Sequence, residues 1–179
     1  MATKPSPAAA AVGGRITAGR WNSDLVAMWE FLDLKRPACY LVQSTPSPAF
    51  SAGNFSGVGF DTEVVDRDEQ HDANEVTRIR IGKTLGWYEV SGSIAWFTNG
   101  TGQRRGARVA LNGVGVNGSE AFHTVTAAPL MTVIPRVLVR ASSPTDYVQL
   151  QAWHDATSSI STAVSGAFRS SFTAVYLGS

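Results

Sequence analysis

The chain has 179 residues and a mass of 19.0 kDa, enough for one well-buried domain, since a protein near this size hides roughly 68–70% of its unfolded surface. Hydrophobic residues make up 44% and charged residues only 16%, so few charges cover the surface and the balance leans towards self-association. Fifteen basic against fourteen acidic side chains give a net charge of +1, which lacks the electrostatic footprint of a nucleic-acid binder.

The lone cysteine, Cys39, leaves no internal disulfide framework and no cysteine metal cluster, and reads as a buried thiol in a protein made in a reducing cytosol. No apolar run approaches the ~20 residues of a membrane helix, and Met1 to Gly14 lacks the apolar core of a signal peptide. Neither membrane insertion nor export by the usual route is expected.

Residues 1–16 contain Pro5, Pro7, a run of alanines and Gly13-Gly14, too little side chain to fold alone, and are expected to form an extended arm. Over residues 17–36 the text changes. Trp21, Leu25, Met28, Trp29 and Leu32 recur on one face of a 3.6-residue period, predicting a short amphipathic helix. Thr17 is placed to cap it, and Arg36-Pro37 stops it because the residue before proline avoids the α region. That face must be covered by the following domain, by other copies, or by a larger assembly.

Residues 38–179 read as one all-β domain. Ala38 to Gln43 is a first strand, and Ser44 to Gly59 is a Ser/Pro/Gly-rich loop with at most a short edge strand. The segment from Val76 to Ile81 alternates, as do "WYEVSGSIAWF", Arg105 to Leu111, Ala121 to Ala127, Leu130 to Ala141, Tyr147 to His154 and Ser171 to Leu177. About eight to ten strands follow, joined by Asn99-Gly100, Asn112-Gly113 and Asn117-Gly118, the dipeptide that best supplies tight hairpin turns. Short strands without crossover helices imply a mostly β fold, an antiparallel sandwich or jelly roll.

Chemistry-bearing motifs are sparse. Asp61, Glu63, Asp66, Asp68, Glu69 and Asp72, with His71, offer oxygen for calcium, but no register supplies the glycine and closing glutamate of an EF-hand loop. The run reads as the solvated loop before a strand beginning near Val76. His71, His123 and His154 have no ligand-spaced partners, and no nucleophile elbow or phosphate loop is present. No catalytic residue, metal or cofactor is assigned, and an enzyme is not expected.

In order, "GWYEVSGSIAW", "RVALNG", "DYVQLQAWH" and "SSFTAVYLG" resemble the jelly-roll heads of the tumour necrosis factor and complement C-one-q family. The matching positions are Gly86, Trp87, Tyr88 and Val90; Val109, Leu111, Asn112 and Gly113; Asp146, Val148 and Leu150; and Phe172, Ala174, Tyr176 and Leu177. The expected core is therefore Tyr88, Val90, Ile94, Val109, Leu111, Val148, Leu150, Phe172 and Leu177. The amino-terminal "GGRITAGRWN", with Ile16, Thr17, Ala18, Trp21 and Asn22, is similar to helix openings in tail, fibre and head-attached proteins of tailed bacteriophages. "FDTEVVD" is similar to phage versions of the same head.

Together the resemblances imply a homotrimeric virion surface protein, either a capsid decoration protein or head fibre, or a minor tail protein. Its attachment to major capsid or tail proteins would run through Ile16, Trp21, Leu25, Met28 and Trp29. A receptor- or carbohydrate-binding tail tip is the rival, with Trp96 or Trp153 stacking on a host-surface glycan.

Overall fold

The structure, a computed structural model, describes residue 5 and residues 17–97, 102–125 and 129–179. Most of the arm, Ile16, the Asn99-Gly100 turn and the end of the predicted Ala121–Ala127 strand lie outside the described residues.

Helix α1 (Ala18–Glu30) begins where Thr17, in an extended conformation, accepts a hydrogen bond on its side chain from the Arg20 N–H. It continues as one π-helical turn over Phe31–Lys35, after which Arg36 adopts the extended backbone that Pro37 imposes. Thirteen strands follow: β1 (Ala38–Val42), β2 (Ser56–Gly57), β3 (Thr62–Asp66), β4 (Gly86–Trp96), β5 (Arg104–Leu111), β6 (Val114–Gly115), β7 (Ala121–Thr124), β8 (Leu130–Val133), β9 (Val137–Ala141), β10 (Val148–His154), β11 (Val164–Ser165), β12 (Phe168–Arg169) and β13 (Ser171–Gly178).

Two antiparallel sheets face one another. The first runs β3-β1-β13-β4, with β8 and β9 both pairing with the long β4; the second runs β2-β10-β5, with β6 and β7 both pairing with β5. The β4 and β5 doublings explain why Leu130 to Ala141 is two strands rather than the single one predicted. Pro135 and Arg136 lie between them, and a proline removes a ladder donor.

Two further predictions are corrected. "FDTEVVD" is not all loop, because Thr62–Asp66 forms edge strand β3 against β1. The segment from Val76 to Ile81 is not a strand: it makes a single bridge from Ile79 to Val148 and then a 3₁₀ turn over Ile81–Lys83. Its alternation is real, with Ile79 and Ile81 buried, but its pairing with β10 stops at that one bridge and the chain turns away at Ile81.

The core fills the space between the sheets. Tyr88, Val90, Ile94, Phe172, Ala174 and Tyr176 enter from the first sheet, and Val109, Val148 and Leu150 from the second, all buried. Leu111 is only half-buried at the edge of this cluster. Leu177, expected in the core, is instead 51% exposed, because β13 buries Phe172, Ala174 and Tyr176 and the pleat puts the next side chain on the outer face.

Gly86 opens β4 at φ +142°, and a Cβ there would lie 2.4 Å from the Gly178 carbonyl oxygen, so the close approach of β13 to β4 requires glycine. Asn112 and Gly113, at φ 51° and 83°, turn the β5–β6 hairpin. The Asn112 side chain accepts from the Tyr147 N–H at 3.1 Å and donates to Asp146 at 2.8 Å, tying that hairpin to the start of β10.

Tyr88 is the central aromatic of the core. It is fully buried, lies edge-on to Tyr176 at 5.3 Å, and donates its hydroxyl to the Thr84 carbonyl at 2.9 Å. Burial pushes that hydroxyl's pKa up, and the Asp68 carboxylate adds to the rise. Replacing Tyr88 with Ala is expected to cost about 3–5 kcal/mol by opening a cavity and leaving the Thr84 carbonyl unpaired. Chemical denaturation checks this, and an unchanged unfolding midpoint contradicts the placement.

Candidate interaction surfaces

The acidic run is the first place to look for chemistry, and its carboxylates are spent on holding the loop together. Asp61 accepts from the Ser44 N–H at 2.6 Å, the Thr45 N–H at 2.9 Å, and the hydroxyls of both residues. Asp66 accepts from the N–H groups of Gln70 and His71, and Asp68 from the Thr84 hydroxyl. Glu63 meets His71 Nδ1 at 2.8 Å, and Asp72 meets Arg80 at 3.0 Å. Among the described residues no group of three or more His, Cys, Asp or Glu side chains is arranged to hold a metal ion.

The other candidate groups are also structural. His154 is buried, with Nε2 2.8 Å from the Phe50 carbonyl and Nδ1 accepting from the Ala156 N–H, which fixes its tautomer as an Nε2 donor. Cys39 is fully buried. Burial, and then the Asp66 and Glu63 carboxylates, push its thiol pKa far up, away from the reactive thiolate.

The exposed surface also carries large apolar side chains. On the outward side of the first sheet, strand alternation puts Tyr40, Val175, Trp87 and Leu138 opposite the core residues, with Leu177 beside them. Leu138 is 60% exposed. Glu89 and Arg136, 3.2 Å apart, and Arg140, 5.9 Å from the Trp87 ring, are charges on this face. Two open depressions lie on it, one bordered by Tyr40, Val65 and Val175, the other by Trp87, Leu138 and Leu177.

Helix α1 adds to the same side. None of its residues is buried, and Trp21, Leu25, Val26, Met28 and Trp29 are all exposed, Trp29 at 71%. Its link to the jelly roll is Phe31, buried edge-on against Tyr176 at 6.3 Å. Met28, Phe31 and Leu32 share a groove with Tyr176 and Leu177, so the helix surface and the sheet surface are continuous.

The second sheet's outward side is different. Phe55, Phe122 and Trp153 pack on one another, Phe122 and Trp153 at 5.3 Å, while Arg108 sits 3.8 Å over Phe55 and Arg104 5.6 Å from Trp153. Trp96, the other tryptophan proposed for stacking on a sugar, is buried, and its Nε1 donates to the Thr132 hydroxyl at 2.9 Å. It is a core residue. The sequence predicts strands around Tyr40 and Phe122 and a loop at Phe55, but which face of each strand meets the core depends on strand order.

No family model matches the chain, and no curated protein matches it. Among solved structures it is similar to murine APRIL crystallised at pH 8.0, with a TM-score of 0.53 and 14% identity, covering 80% of this chain and 100% of that one. A structure of murine APRIL at pH 5.0 gives a TM-score of 0.54 at the same identity and coverage. The chain therefore has a TNF-like jelly-roll fold. The likeness extends over the sandwich and establishes the fold alone.

The Asp61 network makes a pH-dependent contribution. Burial alone would raise this carboxyl, but the hydrogen bonds from Thr45 and Ser44 outweigh it and hold the pKa at about 2. A folded pKa below the unfolded value means the stabilisation is complete above about pH 4 and is lost as pH falls towards about 2. Asp61→Asn is therefore expected to lower the melting temperature at pH 7 and to lose that effect near pH 2. A difference independent of pH contradicts the assignment.

Proposed function

We propose that this chain is a structural surface protein of a tailed-bacteriophage virion, a homotrimer held to the particle by its amino-terminal arm and helix while the jelly roll projects outward. The observation that carries self-association is the continuous apolar surface formed by α1, Leu177, Trp87 and Leu138 on one side of a chain with few charges. A TNF-like sandwich with its first sheet uncovered suits closed assembly around a threefold axis. The phage assignment draws its support from the resemblance of Ile16 to Asn22 to phage helix openings.

In this reading the protein is not an enzyme and needs no cofactor or metal. It is made in the host cytoplasm, and its partners are its own copies and a major capsid or tail protein. Ile16, Trp21, Leu25, Met28 and Trp29 form the attachment segment, whose apolar contacts offset the entropic cost of fixing Pro5 to Gly14 on a neighbouring subunit.

A second reading is favoured by one feature, the Phe55, Phe122 and Trp153 cluster with its two arginines, which suits a host-surface glycan. Glycan-array binding that is abolished by Trp153→Ala would support it.

Deleting Met1 to Arg20 is expected to leave a folded trimer that no longer co-sediments with virions. Undiminished co-sedimentation would place the docking surface on the jelly roll instead.

A further inference from the structure

Helix α1 is not apolar at random positions. Ala18, Trp21, Leu25 and Met28 follow one another at spacings of three, four and three, and Leu32 comes four later in the π-helical turn. This is the alternating spacing of a coiled-coil seam, with Ala18 and Leu25 at one core position and Trp21 and Met28 at the other. The charged residues of the helix, Arg20, Asp24 and Glu30, all fall outside that seam. Asp24 flanks it, where a parallel neighbour presents Asn22 and Trp29, so no like charges meet.

At its carboxyl-terminal end the seam meets the rest of the chain, since Met28 and Leu32 border the groove with Pro5, Tyr176 and Leu177. Phe31, on the flank, fastens the helix to Tyr176, while Trp21, Leu25 and Met28 each remain about half exposed. With large side chains of about 150–250 Å² each about half exposed, the exposed apolar face of Trp21, Leu25 and Met28 amounts to roughly 300 Å² per helix. Three such faces together remove about 900 Å², near the ~1,000 Å² of a specific contact.

We infer that the occupant of this seam is the same helix of other copies of the chain: the α1 helices associate in parallel into a short bundle at the base of the jelly-roll heads. Thirteen residues are too few to hold such a bundle alone. Tethered through Phe31 to heads that already associate, the helices meet at an effective concentration in the millimolar range, and bundle formation becomes intramolecular. The inference rests on the self-association reading and narrows the attachment segment. Trp21, Leu25 and Met28 face the copies and Trp29 flanks the seam, while Val26 is left on the outside of the bundle with the arm for the particle.

The test places single cysteines on the full chain at Leu25→Cys and Met28→Cys on the seam, and at Ser23→Cys on the opposite face, and treats each with a short bis-maleimide. Cys39 is buried and serves as its own control in the unsubstituted chain. Covalent linkage between copies at positions 25 and 28, at least tenfold above that at 23, is expected. Equal linkage at all three, or none, in a sample whose mass before crosslinking is a multiple of the chain overturns the helix bundle and leaves head association standing. A single-chain mass before crosslinking overturns both.

Discussion

The pairing of β13 with β4 is the constraint on which the rest depends. These two strands run side by side through the middle of the first sheet, and their pleat sends Phe172, Ala174, Tyr176, Tyr88 and Val90 into the core. The same pleat forces Val175, Leu177, Trp87 and Glu89 out on the other side. The outward face is therefore a consequence of the core.

The amino-terminal helix belongs to the same arrangement. Phe31 docks on Tyr176, a residue of the central pair, so the core aromatics that hold the sandwich together also fix where the helix leaves it. The groove between Met28, Leu32 and Leu177 joins the two apolar surfaces into one. The opposite sheet, by contrast, packs its outward aromatics against one another and against Arg104 and Arg108.

Much of this was legible in the sequence, for definite physical reasons. Thr17 and Pro37 delimit the helical segment because capping and pre-proline sterics act locally, and the core positions of β4, β5, β10 and β13 follow from period-two alternation. Leu177 is misplaced in the expected core although alternation from Phe172 already puts it on the outer face, because that placement comes from the family resemblance and not from the pleat. Val76 to Ile81 alternates, but its pairing with β10 stops at the single Ile79–Val148 bridge. The acidic run looked like one exposed loop because charge alone does not reveal that Asp61, Asp66 and Asp68 each accept from residues nearby in space. The outward face of Tyr40, Trp87 and Leu138 lay beyond reach, since it exists only once strands far apart in sequence are set side by side.

The central claim is that the apolar back of the first sheet is a contact between copies. Sedimentation equilibrium of the full chain, compared with a Trp87→Asp, Leu138→Asp double variant at the same concentration, tests it most directly. The account predicts three times the 19.0 kDa chain mass for the unsubstituted protein and a single-chain mass for the folded variant. A single-chain mass for the unsubstituted protein, or a variant that still sediments as a trimer, would contradict it.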